Sequence, residues 1–206
     1  MFISNYEKLL LKSYDLLVGI DEAGRGPWAG PVAIAGFIIT QNIKVIEDID
    51  DSKKLSAQKR LLVFKKLKPY KNNYTVILKS NKTIDKLGIG KTIEFAIEEI
   101  IKSISNQFKT KRIKFLIDGY FKKNFEADFE LIKKGDSKMY SIASASIIAK
   151  VTRDLEMAKL AKTYPNYKFE QHVGYGTKLH RELLEKFGPC PIHRKSYKPI
   201  SKLIRN

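Results

Sequence analysis

The chain has 206 residues, 43% hydrophobic and 30% charged, enough to close one substantial core and too apolar to remain disordered. Lys and Arg outnumber Asp and Glu by 39 to 22, giving a formal charge of +17 and a pI near 9.7, which favours a polyanionic partner, nucleic acid first among them. A lone cysteine, Cys190, excludes an internal disulfide and fits a reducing cytoplasmic compartment, and no stretch approaches the roughly 18–20 apolar residues of a membrane span.

In chain order, the first strong signal is the apolar run LLVGID at 16–21, followed after the loop GRGPWAGP by VAIAGFIIT at 32–40. Both are rich in β-branched residues and predict buried strands. Ser56 as N-cap, Leu61, Leu62, Phe64 and Leu67 near helical spacing, and Pro69 as a stop predict a short helix over 56–67. YTVILKS at 74–80 predicts a third strand, and Ile93, Ile97, Ile100, Ile101 and Ile104 form the inward stripe of an amphipathic helix over 93–108. KFLIDG at 114–119 is a further strand ending in an acid. The run at 141–165 predicts a long helix whose Ala-, Ser- and Ile-rich first half can approach a sheet closely and which stops at Pro165. Beyond it come a short helix in TKLHRELLEKFG and the segment PCPIHRKSYKP, whose prolines and basic residues predict an extended arm. Strands interspersed with helices define an α/β domain over 1–165, a mixed sheet with helices on its faces, and a small C-terminal helical extension over 166–206 belonging to the same unit.

Three apolar segments lead to acids: GIDEAG at Asp21 and Glu22, FLIDG at Asp118, and LIKKGD at Asp136. Strand ends are where sites assemble in an open α/β sheet, so these acids can converge although distant in sequence. Clustered carboxylates repel one another and call for hard divalent cations such as Mg²⁺, which take oxygen ligands. An Asp after a strand also caps turns, so spacing alone leaves convergence open. The glycines of GRGPWAG beside Arg25 let backbone approach a phosphate or sugar, or make an ordinary turn between two strands. GIGKT at 88–92 ends like a P-loop, but Asp85 stands where that pattern requires Gly, so it is read as a helix opening. His172, His180 and His193 lie in the tail without a nucleophile motif or a zinc-ligand spacing.

Taken together, these segments closely resemble the bacterial type 2 ribonuclease H family. GIDEAGRGPWAGPV is similar to its opening signature, DSKKLS to its second, IDG to its third, KKGDSKMYSIASASIIAKVTRD to its fourth, and GYGTKLH with GPCPIHRKSY to its closing pair; the match runs from about Leu17 to Tyr197. The resemblance implies a ribonuclease H-like fold with a five-stranded mixed sheet flanked by helices, a catalytic domain over 1–165, and a C-terminal segment that helps hold the substrate. It implies that Asp21, Glu22, Asp118 and Asp136 are the catalytic acids and bind two Mn²⁺ or Mg²⁺ ions, which act on either side of a phosphodiester and leave 5′-phosphate and 3′-hydroxyl ends. The substrates implied are RNA–DNA hybrids and duplex DNA with embedded ribonucleotides. Gly24, Arg25 and Gly26 would read the ribose 2′-hydroxyl, and Tyr175 would stack on the sugar at the RNA–DNA junction. Lys53 and Lys54 read equally as phosphate contacts and as surface lysines. Asp154, four residues after Lys150 and next to Arg153, reads as a structural pair.

Three residues depart from the family pattern: Val173 where Lys precedes GYG, Trp28 where Leu is usual, and Tyr120 where Asn follows IDG. The complete acidic set weighs against a noncatalytic nucleic-acid-binding protein, and Asp85 against a nucleotide phosphotransferase. A monomer is the default, and contact with a replication clamp is left open. One geometric demand remains: neighbouring strand residues face opposite ways, so for Asp21 and Glu22 both to reach metal, the strand must end or twist at Gly24–Gly26, or Glu22 must offer its carbonyl.

Overall fold

A computed structural model of the chain describes residues 1–50 and 52–205; Asp51, the first residue of DSKKLS, and Asn206 lie outside the described residues. The chain enters with the short helix α1 (Asn5–Leu10), capped by Ser4 and Glu7 in a reciprocal box. β1 (Leu16–Ala23) and β2 (Val32–Ile39) follow and pair antiparallel in unbroken register from Leu17↔Ile39 to Ala23↔Ala33. Next come α2 (Ala57–Leu67), capped by Ser56 as its sequence predicts, and β3 (Tyr74–Lys79). α3 (Asn81–Leu87) is not among the helices that the local sequence pattern predicts. It precedes α4 (Ile89–Gln107), whose first turn holds Gly90, Lys91 and Thr92 of the rejected phosphate motif. β4 (Ile113–Asp118), β5 (Phe129–Ile132) and the long helix α5 (Tyr140–Thr163) complete the main layer.

The sheet order is β3-β2-β1-β4-β5, with β1–β4 and β4–β5 parallel and the other pairs antiparallel. The two-residue period of β1 and β2 sorts their side chains into two layers. Leu17, Ala23, Ala33, Ala35, Phe37 and Ile39 pack with Tyr140, Ala143, Ile147 and Val151 of α5, while Val18, Ile20, Ile34 and Ile38 pack with the isoleucine stripe of α4. Helix α5 lies so close to β1 that a Cβ at Gly19 would sit 2.2 Å from the Ser141 carbonyl carbon. The Ala/Ser composition of its first half permits that approach.

The tail is more built-in than its composition predicts. After α6 (Phe169–His172) and α7 (Lys178–Phe187), the segment expected to be an extended arm turns at Cys190–His193, bridges to Ala29 and continues into α8 (Lys198–Arg205). Tyr167, Phe169, Leu184, Ile192 and Ile200 form a separate small core with Ala29 and Met157, so the tail wraps the loop between β1 and β2. Among the described residues no helix is long and apolar enough to cross a membrane.

Candidate active site

β1 and β4 run parallel with Ile20 opposite Ile117, so Asp21 and Asp118, one residue further on, emerge side by side on the same face of the sheet. Asp136 arrives by a turn. After β5, Lys134 adopts a left-handed φ of 56°, and a short 3-10 segment, Gly135–Ser137, carries the acid inward. The Gly135 N–H donates to Asp118 Oδ1 at 2.6 Å, and a side chain at Gly135 would collide with Ile142. One carboxylate oxygen each from Asp21, Asp118 and Asp136 lies within 4.8 Å of the other two.

Two of these carboxylates, Asp21 and Asp118, are held where ionisation is unfavourable. Burial, reinforced by Glu22 and Asp118, pushes the Asp21 carboxyl well above the usual range, although the Ser146 hydroxyl and the Glu22 N–H at 2.7 Å favour its charged form. Asp118 is also raised, mainly by burial with Asp136 adding to it, against the opposing pull of the Gly135 N–H. Lys53 Nζ, 2.6 Å from Asp136 Oδ2, offsets part of this charge. Three converging oxygen donors, without thiol or imidazole among them, fit a hard divalent ion that would relieve their mutual repulsion.

Glu22 answers the geometric demand differently from its neighbour. Strand pairing stays regular through Ala23, so Asp21 faces α5 and Glu22 starts from the opposite side. The Glu22 side chain meets Arg25 Nε at 3.1 Å and is not one of the three converging acids. It stays in the same cleft, where burial raises its pKa, Arg25 lowers it and Asp118 raises it again. The chain leaves the sheet only at Gly24, whose φ is +100°.

Asp21, Glu22 and Asp118 open into a cleft of about 250 Å³ whose wall includes Gly24, Arg25, Gly26, Lys53 and Tyr175. The Tyr175 ring lies against Gly26, where an added Cβ would be 3.7 Å from Cε1, with Lys150 Nζ and the Arg153 guanidinium each about 6 Å from its centroid. Lys54 does not line the cleft; it is exposed and 3.8 Å from Asp50. Asp154 pairs with Lys150 at 2.8 Å and Arg60 at 3.5 Å, while Arg153 turns inward. Of the departures, Trp28 packs across Gly176 beside His180, Val173 takes a left-handed φ of 42°, and Tyr120 is 79% exposed.

Sequence reasoning missed the groups that shape the cleft from behind. Arg153 and Arg194 are fully buried, with no carboxylate partner among the described residues, and both grip the loop between β1 and β2 by its carbonyls. Arg194 donates to Gly24, Arg25, Gly30 and Pro31, and Arg153 to Ala29, Pro31 and Val173. Burial, aided by Arg194, lowers Arg153 to about 10. Ser52 and Ser146 share a 2.8 Å hydrogen bond beside Asp21, and Arg60 and Lys150 complete the wall. The serines of SIASAS signalled close packing; nothing local to the arginines marked them as buried.

A mixed sheet in this order, with acids gathered where β1 and β4 end, is the architecture of ribonuclease H-type nucleases. Solved structures agree: ribonuclease H2 from Pyrococcus horikoshii OT3 superposes with a TM-score of 0.72 at 29% identity, over 92% of this chain and 97% of that one. Ribonuclease HII from Archaeoglobus fulgidus, solved as a complex with PCNA, has a TM-score of 0.74 at 23% identity, over 89% and 95%. The ribonuclease HII family model matches residues 18–200. A ribonuclease HII from Caldicellulosiruptor bescii is 43% identical over 191 residues, 93% of this chain and 90% of that protein. The chain belongs to the ribonuclease HII family: it is a nuclease, a hydrolase with ribonuclease H activity on RNA–DNA hybrids.

Proposed function

We propose that the enzyme also nicks duplex DNA on the 5′ side of embedded ribonucleotides, and that it hydrolyses both substrates with two divalent ions, Mg²⁺ or Mn²⁺. The observation that carries this reading is the convergence of Asp21, Asp118 and Asp136, two of which, Asp21 and Asp118, open into one cleft with the Gly24–Gly26 segment and Tyr175. The catalytic assignment covers Asp21, Glu22, Asp118 and Asp136, with Glu22 contributing from the cleft wall beside Arg25. Two such ions, when bound, supply a more acidic water and neutralise charge on the phosphate and the departing oxygen.

The chain's own residues select and place the substrate. Asp21, Asp118 and Asp136 hold the cations, and Ser146 and the Gly135 N–H hold two of those carboxylates in place. Gly24, Arg25 and Gly26 present backbone and guanidinium to the 2′-hydroxyl, a hydrogen bond that deoxyribose cannot make. Tyr175 stacks on the adjacent sugar, and the extension 166–206 supports that wall. Lys53 addresses phosphate when released from Asp136, and Lys54 acts at most as a peripheral phosphate contact. Attack of water on phosphorus breaks the bond to the 3′-oxygen, which takes up a proton and leaves as a hydroxyl opposite a 5′-phosphate.

The protein is read as a monomer, and a sliding-clamp partner draws support from the Archaeoglobus relative's assembly with PCNA. The test is cleavage of a duplex containing one ribonucleotide, with Mg²⁺ or Mn²⁺, beside an all-DNA duplex. A metal-dependent nick 5′ to the ribonucleotide is expected, and its absence would remove this reading. An Asp118→Asn variant cutting at the parent rate would remove the metal assignment.

A further inference from the structure

The three histidines have no place in the chemistry above, yet all are buried and two are joined ring to ring. His180 Nε2 lies 3.0 Å from His193 Nε2, His180 Nδ1 lies 2.9 Å from the Tyr175 carbonyl oxygen, and the Cys190 N–H points at His193 Nδ1 from 2.9 Å. Hydrogen-bond chemistry orients this chain. A carbonyl can only accept, so His180 must carry its proton on Nδ1, which leaves its Nε2 as an acceptor. His193 must then donate from Nε2, which leaves its Nδ1 to accept the Cys190 N–H; the Cys190 carbonyl, 3.2 Å from the same nitrogen, takes the His193 N–H at 3.0 Å instead. The reverse order would set the Tyr175 carbonyl against a bare ring nitrogen. His172, stacked on His180 at 4.4 Å, is oriented likewise: Gly174 N–H donates to its Nδ1, and its Nε2–H reaches the Tyr167 carbonyl.

We propose that His180, oriented by His193, is a positioning residue for Tyr175: a one-way chain of neutral histidines ties the turn at Cys190–His193 to the backbone of the residue that faces the sugar. The inference rests on the reading of Tyr175 given above. Several contacts make the link stiff. The His180 N–H is held by Thr177 Oγ1 at 3.3 Å, the Tyr175 N–H by the His172 carbonyl at 2.8 Å, and Trp28 closes over Gly176 and the edge of His180. Tyr175 itself is exposed, with its ring against Gly26. A small tilt of the Tyr175 backbone would carry that ring away from Gly26, and misplacement of a positioning group by about 1 Å can cost a hundredfold in rate.

The experiment combines a tautomer measurement with paired variants. Nitrogen-15 correlation spectra of the histidines in the parent protein should show the Nδ1–H form for His180 and the Nε2–H form for His172 and His193; an Nε2–H His180 would overturn the proposal without any mutation. In cleavage of the single-ribonucleotide duplex, His180→Gln, whose amide reaches the Nε2 position instead, should lower kcat/KM about tenfold. His180→Asn, which keeps a donor near the Nδ1 position, should stay within about threefold of the parent. Added to Tyr175→Ala, His180→Gln should change nothing further, because an effect exerted through Tyr175 has no second target. A folded His180→Gln enzyme that cuts at the parent rate, or whose loss multiplies with that of Tyr175→Ala, would overturn the proposal. Should His180→Gln fail to fold, His193→Leu is read by the same outcomes and the tautomer spectrum still decides. Parent-rate cutting by Tyr175→Ala alone would instead remove the underlying reading of Tyr175, and the proposal with it.

Discussion

Two buried carboxylates lie at different points along α5 and are treated in opposite ways. Glu7, fully buried on α1, accepts five hydrogen bonds, from the N–H and hydroxyl of Ser4, the N–H of Tyr140, and the N–H and hydroxyl of Ser141. Three of those donors are at the start of α5, where the helix dipole also favours negative charge. Asp21, further along the same helix beside Ser146, has two such donors and two carboxylates facing it. The first arrangement is complete in itself and joins the N-terminal segment to the core. The second leaves its charge unbalanced, as a group poised to bind a cation would. Equal burial therefore says little about a carboxylate; the count of donors against charges around it separates a structural acid from a functional one.

The largest effect expected is at Asp21. Asp21→Asn should lower cleavage at least about a thousandfold, roughly 4 kcal/mol of barrier, in a steady-state assay with Mg²⁺. Its stability should move the other way. A carboxyl whose folded pKa is raised loses stability as pH climbs from its unfolded value of about 4 through the folded one, so removing the charge should raise the melting temperature of the metal-free protein at pH 7. A fall there would erase the contrast with Glu7.

Glu7→Gln is the complementary break. It should destabilise the protein by about 3 kcal/mol in urea unfolding, because two amide hydrogens replace acceptors that face hydrogen-bond donors. Activity measured well below its melting temperature should stay near that of the parent.

The histidine cluster adds a pH term. Burial first, with the neighbouring imidazoles adding to it, lowers His180 and His193 to about 4, and His172 is lowered as well. The unfolded chain therefore takes up protons that the folded one refuses. Stability contributed by these rings is complete above their unfolded value of about 6.5 and declines as pH falls toward 4, by up to about 1.4 kcal/mol per pH unit for each of His180 and His193. Chemical denaturation at pH 7.5 and 5 checks this, and replacing either ring with a group that does not titrate should flatten the difference.

The smallest effect separates the paired lysines. Lys54→Ala should change kcat/KM less than about twofold, as expected for an exposed ion pair, whereas Lys53→Ala, which leaves Asp136 without its ammonium, should alter the divalent-ion concentration needed for half-maximal rate. Equal responses would mean that the cleft does not distinguish them.

Much of this was legible beforehand. The strands at 16–21, 32–40, 74–80 and 114–119, the helices beginning near Ser56 and through Ile93–Ile104, and the acids at strand ends all follow from local pattern, since periodicity and caps act within a few residues. The resemblance supplied the order of the motifs and the four acids. α1, α3 and α8 were hidden because short helices are stabilised by what they pack against more than by their own propensity.

By itself, then, the sequence determined which residues could form strands and helices, that the surface would be strongly basic, and that acids would close several of the strands. Only the tertiary structure decided that Asp21, Asp118 and Asp136 meet while Glu22 turns to Arg25, because parallel pairing of β1 with β4 and the two-residue period of the strand fix which carboxylates share a face. It alone decided that Arg153 and Arg194 are buried beneath the Gly24–Pro31 loop and that three tail histidines align behind Tyr175. Those contacts span up to about 170 residues, as from Arg194 to Gly24, and depend on the fold closing, which no local pattern encodes.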